Sequence, residues 1–112
     1  MEATEKDILR GGQFLVKETK CDDVFTPEDF SEEQNMMKEA VKEFNDRKVI
    51  ANRDRFENKD YAFTEECMKE AGDMGFLGVA VPEEYGGMGM GFVSTMLVCD
   101  YISSGTGSFS TA

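Results

Sequence analysis

Side chains able to do chemistry are many here, but they are poorly arranged for it. The 112 residues hold 23 carboxylates and no histidine. Without an imidazole there is no histidine general base, no Ser-His or Cys-His nucleophile pair and no histidine-held metal. The paired carboxylates Glu32-Glu33, Glu65-Glu66 and Glu83-Glu84 are sequence neighbours. Adjacent side chains point in different directions, so such pairs do not make a shared acid–base site. Asp54, Asn58, Asp60 and Glu65 fall at loop positions one, five, seven and twelve of a calcium-binding helix–loop–helix. Phe56, however, occupies the third position and Lys59 replaces the glycine of the sharp turn, so no calcium is expected. The run Gly86-Gly87-Met88-Gly89-Met90-Gly91 fits neither dinucleotide nor Walker spacing, since no strand precedes it and no lysine follows. It reads as a backbone hinge that lets two helices approach closely. Cys21, Cys67 and Cys99 are odd in number and far apart, which predicts free thiols in a reducing compartment.

The elements that must carry these groups are helical. Thr26-Pro27 reads as an N-cap followed by proline at the first helical position, for one turn only. Ser31-Glu32-Glu33-Gln34 reads as a capping box, and Met37, Ala40, Val41 and Phe44 make an apolar stripe running to about Phe56. A second helix is predicted from Thr64-Glu65-Glu66, with Cys67, Met68, Ala71 and Met74 inward and Gly75 as a left-handed C-cap. Pro82 to Gly87 is a turn. A third helix carries Phe92, Val93, Met96, Leu97 and Tyr101, and Gly105-Thr106-Gly107 ends it before another opens near Ser108. Most of the eight methionines lie on apolar helix faces, where they fill core. Residues 1–25 are a loosely ordered lead-in in which Gly11-Gly12 interrupts any helix begun at Thr4 to Arg10, and residues 26–112 form the domain.

A net charge of -11 speaks against nucleic acid and against anionic membrane surfaces. Met1 to Arg10 is polar, with no apolar segment of the kind a secretory signal requires, and the longest apolar stretch, Phe92 to Cys99, is too short to span a bilayer. Charge is unevenly spread: residues 1–60 carry 16 acidic and 11 basic residues, residues 61–112 carry 7 and 1, and Asp100 is the only charge beyond Tyr85. A solvated surface is normally dense in charge, so residues 86–112 are expected to be covered by further protein. Met88, Met90, Phe92, Val93, Met96, Leu97, Val98, Tyr101, Ile102 and Phe109 are the apolar groups of that face.

The stretch from Ala71 to Gly91, with Gly72-Asp73-Met74-Gly75-Phe76 leading into Pro82-Glu83-Glu84-Tyr85-Gly86-Gly87-Met88-Gly89, resembles the acyl-CoA dehydrogenase pattern. Phe30-Ser31-Glu32-Glu33-Gln34 at the start of an amphipathic helix, Asp100 near the end of a later one, and Gly105 to Ser110 are similar to the same family. The resemblance covers about residues 25–112. It implies an all-α fold, the small orthogonal helical bundle that forms the N-terminal domain of a three-part flavoprotein. Such an enzyme uses FAD to remove two hydrogens across the α,β bond of an acyl-CoA thioester in fatty-acid β-oxidation. Its implied partners are an acyl-CoA substrate and an electron-transfer flavoprotein-type acceptor, in a cytoplasmic homo-oligomer.

The family's flavin-binding T-E-P region and catalytic glutamate have no counterpart in these residues. No catalytic, flavin-binding or metal-binding residue is therefore expected, and residues 1–112 by themselves are expected to be inactive. What the resemblance carries over is the wall of the acyl pocket, where Ser108 and Thr111 would approach the far end of the fatty tail. Gly11 to Glu18 resembles an extension found in the longer members, which favours longer acyl chains. The alternative is a stand-alone helical interaction module docking a partner on its low-charge C-terminal face.

Overall fold

A computed structural model describes residues 8–111. Thr4 to Asp7, part of the stretch in which Gly11-Gly12 would interrupt any helix, lie outside the described residues with the rest of 1–7 and with Ala112. The chain divides into two compact units at Ser31/Glu32. Every regular element among the described residues is helical.

The first unit is a series of 3-10 turns, Gly11–Leu15, Cys21–Asp23 and Pro27–Asp29. Each is closed in the same way: the backbone N–H before the turn donates to a side chain three residues on. Arg10 donates to Gln13, Lys20 to Asp23, and Thr26 to Asp29 at 2.8 Å. Pro27 at the first position supplies the fixed φ that such a turn needs. Leu9 N–H bonds to the Asp23 carbonyl, and the Phe25 and Phe30 rings lie 5.6 Å apart. Phe14, Leu15 and Val16 remain exposed.

The second unit opens with α1 (Glu32–Phe44), which buries Met37, Val41 and Phe44. The helical path does continue to Glu57, as the stripe predicts, but it is not one helix. A π turn at Asn45–Val49 and a 3-10 turn at Ile50–Asn52 precede α2 (Arg53–Glu57). The five-residue step from Phe44 to Val49, both fully buried, matches the wide π turn. A plain helix would bring Arg47 or Lys48 inward instead. Those two cations reach across to α3 (Tyr61–Asp73): Arg47 pairs with Glu70 and with Glu43, and Lys48 with Glu66 at 2.7 Å and Glu70 at 3.3 Å. The Arg47 hydrogen bond holds the Glu70 carboxyl below the usual carboxylate range.

The second helix begins earlier than its capping residues predict. Asp60, not Thr64, is the N-cap of α3, its Oδ1 accepting from Phe63 N–H at 3.1 Å while Oδ2 pairs with Arg55. Lys59 takes φ +60 at the bend. The face turned inward is Phe63, Cys67 and Ala71. Burial pushes the Cys67 thiol up, whereas Cys21 and Cys99 are exposed, and all three are free. Gly75 closes the helix at φ +87, with Phe76 N–H bonding back to the Ala71 carbonyl.

The glycine-rich run does not serve as a hinge between two helices. Its residues fold back on the limb before it: Met88 N–H bonds to Gly78, Gly89 to Val81, and Met90 to Val79. A 3-10 turn at Glu83–Tyr85 and Gly86 at φ +86 make the reversal. The close approach is between two loop limbs. α4 (Phe92–Ser103) then packs on α1, with buried Ser94 accepting from Gln34 Nε2 at 3.0 Å, and α5 (Gly107–Ser110) follows.

Five phenylalanine rings connect these elements through the core. Phe76 lies 5.8 Å from Phe44, Phe44 lies 6.2 Å from Phe109, and Phe56 lies 5.3 Å from both Phe109 and Phe63. The C-terminal segment is thus covered in part by the unit's own core: Leu97, Val98 and Phe109 are buried, while Phe92, Val93, Met96 and Met88 are exposed.

Candidate functional site

Ser108 and Thr111 are three residues apart on α5 and its last turn, so they share one face. Both are exposed. Thr106 caps α5, its Oγ1 accepting from Ser108 N–H at 3.3 Å, and Phe109 anchors the opposite face in the aromatic core. The Ser108 hydroxyl donates to Glu57 Oε1 at 3.0 Å, which ties α5 to the end of α2. The Thr111 hydroxyl donates to the Gly107 carbonyl at 2.8 Å. With that hydroxyl engaged, what Thr111 can offer an aliphatic chain is its methyl group. The α5 surface thus presents the Thr111 methyl group beside hydroxyls engaged with Glu57 and with the helix's own carbonyls.

The turn before α5 is held from the other side of the unit. Asn45 Nδ2 donates to the Tyr101 carbonyl at 3.1 Å and to Ser104 Oγ at 3.2 Å, and Arg53 Nη2 donates to the Gly105 carbonyl at 2.9 Å. Asn45, Arg53 and Glu57 are the residues that sequence reading missed. Asn45 directly follows Phe44 on the buried stripe, a polar residue in an apolar position. That was the available signal for one of them; Arg53 and Glu57 had none.

A concave feature of about 250 Å³ elsewhere in the unit is lined by Glu33, Met36, Met37, Ala40, Met74, Phe76 and Met88. It is apolar and holds no pair of convergent polar groups. Asp54, Asn58, Asp60 and Glu65 are not brought together as ligands, since Asp60 is committed to the α3 cap and to Arg55.

A flavin would need buried polar side chains free to meet its ring. The buried polar residues among those described are Asn45, Ser94 and Thr106, and each is held within the helices, Asn45 through its Nδ2 with Oδ1 closed in against Gly105. These residues do not by themselves fit a flavin.

The described residues define a helical domain held by an aromatic core and by side-chain bonds between its helices. Its relatives are as follows. The family pattern described as "Acyl-CoA dehydrogenase, N-terminal domain" matches residues 31–112. A probable acyl-CoA dehydrogenase of Bacillus subtilis (strain 168) is 36% identical over 104 residues, covering 93% of this chain and 17% of that protein. The glutaryl-CoA dehydrogenase of Desulfococcus multivorans is 35% identical over 78 residues, covering 68% of this chain and 20% of that protein. Among solved structures, an acyl-CoA dehydrogenase from Bacillus anthracis complexed with FAD superposes with a TM-score of 0.79 at 40% identity. That match covers 90% of this chain and 17% of the other. The chain belongs to the acyl-CoA dehydrogenase family and corresponds to its N-terminal domain. It spans about one fifth or less of the length of these relatives. An alignment covering 93% of the chain necessarily enters the unit before Glu32, so that unit has a counterpart in the B. subtilis relative.

Proposed function

We propose that these residues form the N-terminal helical domain of an FAD-dependent acyl-CoA dehydrogenase, with 26–112 as the body and 1–25 as lead-in. The reaction is α,β-dehydrogenation of an acyl-CoA thioester in fatty-acid β-oxidation, with electrons passing to an electron-transfer flavoprotein-type acceptor in the cytoplasm. The observation that carries this reading is the match in both fold and sequence to the FAD-bound B. anthracis enzyme. The carboxylates described here support a packing role, since Asp60 caps a helix and Glu70 and Glu66 hold cations. By themselves the 112 residues bind no stoichiometric flavin and are inactive toward acyl-CoA.

Within that enzyme, Ser108 and Thr111 line the far end of the acyl tail. The test is a graft of residues 1–112 in place of the corresponding region of the B. anthracis enzyme. In the graft, Thr111→Phe should lower kcat/KM for long acyl-CoA substrates by roughly tenfold or more, because a filled pocket rejects whole methylenes. Short substrates should be little affected. An unchanged chain-length profile would remove Thr111 from the wall.

Homo-oligomer formation of the whole enzyme is the remaining part of the reading, and self-association of the isolated chain is a separate expectation, through a contact other than the enzyme's own subunit interface. α4 is apolar on more than one side: Ser94, Leu97 and Val98 are buried, yet Phe92, Val93 and Met96 stay exposed. A helix apolar all round is one that is covered all round. The isolated chain should therefore self-associate through this exposed strip, and Met96→Glu should return it toward monomer. Sedimentation showing a strict monomer at high concentration, with no binding of an apolar-surface dye, would contradict this.

A further inference from the structure

We infer that Asn45 in the π turn and Arg53 at the start of α2 are positioning residues that set the α5 face by holding the turn between α4 and α5. The consequence for substrate rests on the acyl-wall reading above, but the placement itself does not.

α5 has only four residues, too few to be stable as an isolated helix. Its position depends on what holds the turn that leads into it. The last carbonyls of any helix lack partners within it. At the end of α4 Asn45 takes up that role at the Tyr101 carbonyl, and Arg53 donates to the Gly105 carbonyl in the turn just beyond the helix. Ser104 Oγ both donates to the Tyr101 carbonyl at 2.7 Å and accepts from Asn45, which closes a small network. The Tyr101 carbonyl can only accept, so it fixes the amide with nitrogen toward α4.

That orientation leaves Asn45 Oδ1 buried without a conventional donor, on a side chain only 2% exposed. The oxygen lies against Gly105. A Cβ built there would stand 2.4 Å from Oδ1, 2.9 Å from Nδ2 and 3.0 Å from Cγ. Asn45 and Gly105 are thus interlocked, the amide occupying the space that any other residue would fill. An orphaned acceptor is costly, and it persists where the surrounding contacts fix the side chain. The π turn places Asn45 beside Phe44, so the same wide turn feeds both the aromatic core and the clamp.

The experiment is amide hydrogen exchange on the 112-residue chain, without substrate, so it succeeds or fails independently of the acyl-wall reading. The reporters are Ser110 and Thr111, whose N–H groups bond to Thr106 and Gly107. The controls are Met88 and Met90 in the loop. Asn45→Ala should speed exchange at the reporters by roughly tenfold or more relative to the controls. The double variant Asn45→Ala/Gly105→Ala refills the space with a methyl group but supplies no donor. It should recover thermal stability relative to Asn45→Ala while the reporters stay fast. Restored protection at Ser110 and Thr111 in the double variant would mean that packing alone places α5, and would overturn the proposal. If Asn45→Ala does not fold, Arg53→Met keeps the aliphatic stem and loses the bond to Gly105. Exchange should then quicken at the reporters only, and no change there would equally overturn it.

Discussion

Replacing Phe109 by alanine should cost about 3–5 kcal/mol of folding free energy, the range for removing a buried aromatic ring. Phe109 is 4% exposed and stands between Phe44 and Phe56 in the line of rings. Loss of its ring opens a cavity between α1 and α2 and detaches α5, which has no other large apolar anchor. A small domain has only about 5–15 kcal/mol of stability in total, so this one change brings it near the threshold. The melting temperature should fall by roughly 15 °C or more. Tyr85→Ala is the matched control, because that ring is 77% exposed and lies outside the α4 strip, and its loss should stay within about 0.5 kcal/mol. Equal effects for the two variants in chemical denaturation would show that Phe109 is not a core residue.

Gly87→Ala should be of similar size for a different reason. A Cβ there would lie 2.1 Å from the Val81 carbonyl oxygen, 2.4 Å from Val81 Cβ and 2.5 Å from its carbonyl carbon. Backbone atoms cannot rotate away, so the limb of residues 78–81 must separate from the limb of 87–90. That separation breaks the bonds from Met88, Gly89 and Met90 to the facing carbonyls. A loss of at least about 3 kcal/mol is expected, at the upper end for overpacking. Gly91→Ala is the control: φ there is -79, and a Cβ would meet nothing within 4 Å. Denaturation midpoints that agree for the two variants would contradict the close approach.

How much of this was legible depended on whether the signal was local. Thr26-Pro27, the Met37-Val41-Phe44 stripe and Gly75 declare themselves within a few residues, and the structure uses them as read. The start of α3 was misplaced because Asp60 and Thr64 are both competent caps, and the burial of Phe63 favours the earlier one. The π turn was hidden because one extra residue per turn looks like ordinary drift of a helical stripe. Low charge over residues 86–112 signals a covered surface without saying what covers it, and part of the cover is internal: Phe109 packs on rings contributed from residues 44 and 56. The glycine run was assigned to closeness between helices because glycine announces only that something approaches, not what. Asn45 could not be understood alone, since its partners lie 56 and 59 residues away.

The most direct test of the account is anaerobic titration of the grafted enzyme, carrying these 112 residues in the B. anthracis protein, with an acyl-CoA. The account predicts that the graft retains FAD and that the flavin absorbance bleaches as the acyl-CoA is oxidised. A graft that folds and holds FAD, but whose flavin no acyl-CoA reduces, would contradict it.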